Sequence, residues 1–239
     1  MRMNGKKDGV LMACYACLLV IGGLLTWLKY DYNAVKMEDV REACGYVGAS
    51  ATPVEAPKIA LTFDDGPSAA WTPALLDGLK ERGVKATFFL IGENADKNPE
   101  IVKRMAEEGH LIGNHTYHHV ELTKVSENEA RLELADTSAV IVRITGKEPE
   151  YMRPPFGAWQ RKLEQEIEML PVLWTIDPLD WTTENQDEIV NKVVTEAEEN
   201  DIILLHDCYK SSIEAGLRIV DILQEEGFVF VTVDELLLN

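Results

Sequence analysis

The chain has 239 residues, 46% hydrophobic and 27% charged, an ordinary globular balance. Its formal net charge of −18, from 23 basic and 41 acidic residues, argues against nucleic-acid binding through a basic surface. Four cysteines do not make a disulfide framework. Cys44 and Cys208 are left either as a pair in an oxidising compartment or as two separate thiols.

The N-terminus carries MRMNGKKDG and then VLMACYACLLVIGGLLTWL, residues 10–28, a run of 19 without a charge. As a helix the run is roughly 28 Å long at about 1.5 Å per residue, close to the bilayer core. It is longer than the apolar part of a secretory signal, and KYDYNAV after it offers no A-x-A-like cleavage site, so an uncleaved signal-anchor is expected. Cys14 and Cys17 are C-x-x-C in form but lie within this anchor. Arg2, Lys6 and Lys7 on one side nearly balance Lys29, Lys36 and Arg41 on the other; the tight N-terminal cluster directs the N-terminus inside. Residues 1–28 are then a cytoplasmic basic end and a membrane span. The aperiodic stretch 29–56 is a linker, and 57–239 a domain outside the cytoplasm, at the cell membrane.

From residue 57 apolar runs alternate with amphipathic ones. Strands are predicted at KIALTF (58–63), ATFFLIG (86–92), HLIGNH (110–115), YMRPP (151–155), PVLWTID (171–177), DIILLHD (201–207) and FVFVTV (228–233). Helices are predicted over 71–82, 99–108, 126–145, 159–170, 186–200 and 211–227. The 126–145 helix opens on a capping-box-like Ser126–Glu129 pair and stops at Gly146. DELLLN is read as a tail. This alternation predicts an α/β fold with a parallel sheet, and LTF, TFFLI and IILL read as strands buried on both faces. The domain is too short for a full eight-fold barrel but long enough for a closed or nearly closed seven-fold one; an open doubly wound sheet is the alternative.

Reactive side chains gather at the C-terminal ends of these strands: Asp64 and Asp65 after the first, His115 and His119 after the third, Arg153 on the fourth. Asp177, Asp180 and Trp181 follow the fifth, and His206 and Asp207 end the sixth. That edge is where parallel α/β folds build active sites. Four of the five histidines fall between 110 and 119. Two imidazoles and a carboxylate leave a fourth position open, a catalytic zinc arrangement that cobalt or nickel also fits. His118 is read as a bystander and His110, at the other end of its strand, as structural. Singly, RPPFG (153–157), DPLDW (177–181) and HD (206–207) also read as plain turns and loops. LTFDDGP (61–67) poses its own difficulty, because adjacent strand residues point to opposite faces and Asp64 and Asp65 should not share one site. The strand is therefore expected to end near Phe63, with Gly66-Pro67 turning the chain.

Together TFDDGP (62–67), HTYHH (115–119), RPPFG (153–157), DPLDW (177–181) and ILLHD (203–207) resemble, in order, the five motifs of the polysaccharide deacetylases of carbohydrate esterase family 4, the NodB-like homology domain. The resemblance implies a distorted (β/α)7 barrel, here preceded by the transmembrane helix. It implies one divalent metal ion, Zn2+ with Co2+ or Ni2+ as alternatives, held by Asp65, His115 and His119. Asp64 matches the catalytic base, Arg153 the residue holding it, His206 the catalytic acid and Asp180 its partner. Trp181 and Leu204 match the pocket for the acetyl methyl group, and the Phe156 N–H an oxyanion donor. The expected activity is hydrolytic N-deacetylation of an extracytoplasmic N-acetylated polysaccharide by a monomer, with peptidoglycan GlcNAc first and chitooligosaccharide next. A non-catalytic carbohydrate-binding relative and an O-acetyl esterase of the xylan type are the alternatives. A two-metal phosphoesterase is a third, against which no phosphate-cradling loop is evident.

Overall fold

A computed structural model of the chain describes residues 56–159 and 167–238. The expected anchor (10–28), nearly all of the linker, Cys44 and most of the helix predicted over 159–170 lie outside the described residues. Among the described residues no helix is long and apolar enough to cross a membrane.

Seven parallel strands form one sheet: β1 (Lys58–Asp64), β2 (Thr87–Leu90), β3 (Leu111–Asn114), β4 (Tyr151–Met152), β5 (Leu170–Pro171), β6 (Ile202–His206) and β7 (Val229–Val231). Their order is β5-β4-β3-β2-β1-β6, with β7 also paired to β1. β6 runs along β1 from Ala60 to Asp64, while β7 takes the first half of β1 and β2 the second. β1 is thus flanked on both edges and covered on both faces, which is why IALTF, between Lys58 and Asp64, carries no charge on either parity. The odd residues Ile59, Leu61 and Phe63 pack with Phe88, Leu75 and Leu79 in the large core under the helices. The even residue Ala60 faces a smaller inner cluster with Phe89, Tyr151 and Val231. The sheet curls around that inner side as a half-barrel.

The connecting helices are α1 (Thr72–Glu81), α2 (Gly92–Lys97), α3 (Pro99–Glu107), α4 (Glu127–Thr145), α5 (Gln186–Glu196), α6 (Lys210–Glu225) and α7 (Val233–Leu237). α4 begins and ends as its sequence indicates: the Ser126 hydroxyl accepts the Glu129 N–H, and Gly146 closes it at φ 73°. α2 and α7 are additions to the expected elements. Six and five residues are too short to show a helical period. A capping box between Thr232 and Glu235 starts α7, a signal that was present in TVDE.

The strand expected over 171–177 is corrected. It is two fragments, β5 at Leu170–Pro171 and a single parallel bridge from Ile176 to Ile203 of β6. Between them the carbonyls of Val172 and Leu173 accept Arg153 Nε and Nη2, both at 3.1 Å. A buried guanidinium has taken acceptors that a regular ladder would have used.

Candidate active site

Register brings the reactive residues together. Asp64 of β1 is level with His206 of β6 and with Phe89 of β2; Leu90 is level with Asn114 of β3, and Asn114 with Met152 of β4. Asp64, Asp65, His206, His115 and Arg153 therefore lie within a residue or two of one line across the sheet.

β1 continues through Asp64, one residue beyond the expected end. Asp64 keeps the inward parity of Ala60 and Thr62. Asp65 does not continue the strand: its φ of 72° reverses the alternation. Both carboxylates consequently face His115 Nε2, Asp64 Oδ2 at 3.8 Å and Asp65 Oδ1 at 3.4 Å. Gly66 then passes over the Asp207 carboxyl so closely that a Cβ there would lie 2.2 Å from Asp207 Oδ1. Asp207 is the residue of the HD pair that turns away from the cleft. It is fully buried, which pushes its carboxyl up to about 7 against the lowering effect of the Thr72 hydroxyl it accepts.

Arg153 is fully buried inside the half-barrel, over the Phe89 ring at 4.3 Å. Its Nη1 donates to Asp64 Oδ1 at 2.9 Å and to Thr62 Oγ1 at 2.7 Å. Burial draws the guanidinium down, and the Asp64 charge opposes that. The Arg153 carbonyl accepts His115 Nδ1–H at 2.6 Å; a carbonyl only accepts, so neutral His115 presents its Nε2 lone pair to the cleft.

His119 Nε2 lies 3.3 Å from the same Asp65 Oδ1, an oxygen that is buried and has no hydrogen-bond donor. Burial holds His119 below its ordinary value, favouring the neutral ring. For Asp65, burial pulls upward but is outweighed by His115, His119 and His206, and the carboxyl is held low. Three lone-pair donors thus converge, with their ligating atoms all within 4.8 Å of one another. Such a set suits one divalent cation, and the orphaned Asp65 oxygen is what such an ion would satisfy.

Across the cleft, Asp180 is buried in the 3₁₀ turn Asp180–Thr182 and holds His206 twice. Its Oδ2 accepts the His206 backbone N–H at 2.8 Å and its Oδ1 the ring Nδ1–H at 2.7 Å. Burial alone pulls the imidazole down; the Asp180 hydrogen bond and charge, with Asp64 and Asp65, push it up to about 9. In metal-free protein, Asp180→Asn is expected to bring the His206 titration, followed by NMR, from about 9 towards its ordinary 6.5. An unmoved titration would show that Asp180 does not set it.

A cleft of about 440 Å³ is lined by Asp64, Asp65, His115, His119, Phe156, Trp181, Leu204 and His206. Arg153 and Asp180 stand behind Asp64 and His206. Trp174, Leu179 and Tyr209 also line it and were not singled out in the sequence. Of the six described non-glycine residues with positive φ, five are Asp65, Thr116, His119, Phe156 and Leu179, all at this cleft or in its loops. Strained backbone concentrated at one place is characteristic of functional sites. His110 is at the far end of β3, buried with Nδ1 accepting the Ala86 N–H, and burial takes it down to about 4. His118 points to Glu133, not to the donor set.

The cleft thus places three candidate cation ligands between the Arg153-bound Asp64 and the Asp180-bound His206. A family model described as Polysaccharide deacetylase matches residues 51–173. A peptidoglycan-N-acetylglucosamine deacetylase of Bacillus cereus is 42% identical over 194 residues, covering 78% of this chain and 70% of the relative. The peptidoglycan-N-acetylmuramic acid deacetylase PdaC of Bacillus subtilis is 40% identical over 178 residues, 74% of this chain but 38% of PdaC. A solved PdaC structure matches with a TM-score of 0.75 at 40% identity, over 76% of this chain and 90% of that one. The chain belongs to the polysaccharide deacetylase family, carbohydrate esterase family 4, and is a hydrolase of that family.

Proposed function

We propose that the domain removes N-acetyl groups from an N-acetylated polysaccharide, with the N-acetylglucosamine of peptidoglycan as the leading substrate and chitooligosaccharide next. The observation that carries this is the convergence of Asp64 and Asp65 on His115 Nε2, with Asp65 Oδ1 left without a donor. Asp65, His115 and His119 would hold one divalent cation, zinc first, with cobalt or nickel compatible with the same donors. Such a cation supplies Lewis acidity, which polarises an amide carbonyl and acidifies water.

The residues of the chain do the rest. Asp64 accepts a proton from the attacking water, and Arg153 orients it through a charge-assisted bond. The Phe156 N–H stabilises charge developing on the carbonyl oxygen. His206, protonated through Asp180, gives its proton to the departing nitrogen as the C–N bond breaks. Acetate and a free amino sugar result. Leu204 stands two residues before His206 on the same strand face and, with Trp181, makes the wall for the acetyl methyl group. The Ile176–Ile203 bridge supports reading the half-barrel as a distorted seven-fold barrel.

An acetate-release panel on the metal-loaded protein tests the substrate. Peptidoglycan is expected to give acetate at the highest rate and chitooligosaccharide a lower one. Release from acetylated xylan with none from peptidoglycan would replace the cell-wall reading with the esterase one. Tethering outside the cytoplasm through residues 10–28 belongs to the same proposal; membrane fractionation, with the protein recovered in the membrane pellet, checks it.

A further inference from the structure

We infer that Glu133 is a positioning residue for the cation site, acting through the backbone that links its two histidines; the inference rests on reading Asp65, His115 and His119 as ligands. Glu133 lies in α4 and is buried under the HTYHH loop. Its Oε2 accepts the backbone N–H groups of Tyr117 at 2.9 Å and of His118 at 2.7 Å. Its Oε1 lies 2.8 Å from His118 Nδ1, which donates to it. A carboxylate taken from water is costly unless it is well satisfied, and here three donors meet it.

The opposite side of the loop is gripped as well. The carbonyls of Thr116 and Tyr117 accept the N–H groups of Gly92 and Glu93, at 2.9 and 3.0 Å. Gly92 permits that approach, since a Cβ there would lie 2.5 Å from the Tyr117 ring and 2.6 Å from Thr137 Oγ1. Asn114 Oδ1 accepts the Thr116 N–H at 2.9 Å, while its Nδ2 donates to the Leu134 carbonyl and Ser138 Oγ of α4.

The loop needs such a hold. His115 and His119 are four residues apart, yet no helix joins them, and both Thr116 and His119 sit at positive φ, 62° and 57°. Conformations of this kind persist when their surroundings over-determine them. With the Tyr117 and His118 amides released, the middle of the path from one imidazole to the other would lose its direct hold on α4, and only Thr116 would stay tied to that helix, through Asn114. His118 thereby acquires a place: its ring N–H is one of the donors that fix the carboxylate orienting its neighbour.

Zinc affinity, measured by competition with a chromophoric chelator, tests the inference, with thermal unfolding of the metal-free protein recorded alongside. Glu133→Gln keeps the side-chain size and an oxygen for the two N–H donors, but removes the carboxylate charge and sets its NH2 against the His118 Nδ1–H; its zinc Kd is expected to rise about 10–100-fold, the range for loss of groups that orient metal ligands. Glu133→Asp, which withdraws the carboxylate by one methylene, serves if Glu133→Gln does not fold, and is expected to weaken zinc at least several-fold. Wild-type zinc affinity in the folded variant, with only a lowered unfolding temperature, overturns the role and leaves Glu133 as a structural residue. A wild-type protein that binds no zinc, cobalt or nickel overturns the ligand reading itself.

Discussion

Asp64→Asn is expected to bind the cation with near wild-type affinity and to lose about 10²- to 10⁴-fold in turnover, the contribution of a positioned general base. The substitution is nearly isosteric. The amide oxygen can still accept from Arg153 Nη1, and Asp65, His115 and His119 keep their donor atoms. What is lost is an oxygen able to take a proton. The variant also leaves a buried guanidinium without its anion, at a cost of about 3–5 kcal/mol of stability where a buried pair is broken. Thr62 Oγ1 and the Val172 and Leu173 carbonyls still hold Arg153, so its position should survive. Acetate release, zinc affinity and thermal unfolding separate these effects. Near wild-type turnover would remove Asp64 as the base.

Removing the cation is the second large perturbation, expected to abolish acetate release and to lower the unfolding temperature. Two imidazoles and a carboxylate bring their ligating atoms together, and Asp65 Oδ1 has no donor to offset this. A cation binding the folded chain at 100 times its Kd stabilises it by about 2.7 kcal/mol, or about 5–10 °C for a domain of this size. Zinc, cobalt and nickel added in turn should each restore the transition. Identical unfolding curves with and without metal would count against the three-donor site.

The strand ends were legible because β1, β2, β3 and β6 are largely buried on both faces, and an ionisable residue after such an apolar run marks its end. The convergence of reactive groups on one edge followed from parallel connectivity alone. The residue-level roles proposed for the site rest on the five motif stretches. Three features were not legible. The reversal at Asp65 is a backbone event: Gly66-Pro67 indicated a turn, but nothing in DDGP placed the positive φ of 72° on Asp65. The broken path from Val172 to Ile176 depends on Arg153, 19 residues before Val172, taking its carbonyls. Glu133 reads as one more acid on an amphipathic helix, since its partners are backbone amides that no side-chain pattern reveals.

The role proposed for one cation at Asp65, His115 and His119 is to enable the carboxylate and imidazole beside it to hydrolyse an N-acetyl group. Its most direct measurement is acetate release from peptidoglycan by metal-stripped protein as zinc is titrated back. Release should be absent at the start, rise in proportion and saturate at about one equivalent per chain. Full activity in the stripped protein, or saturation only at two equivalents, would contradict it.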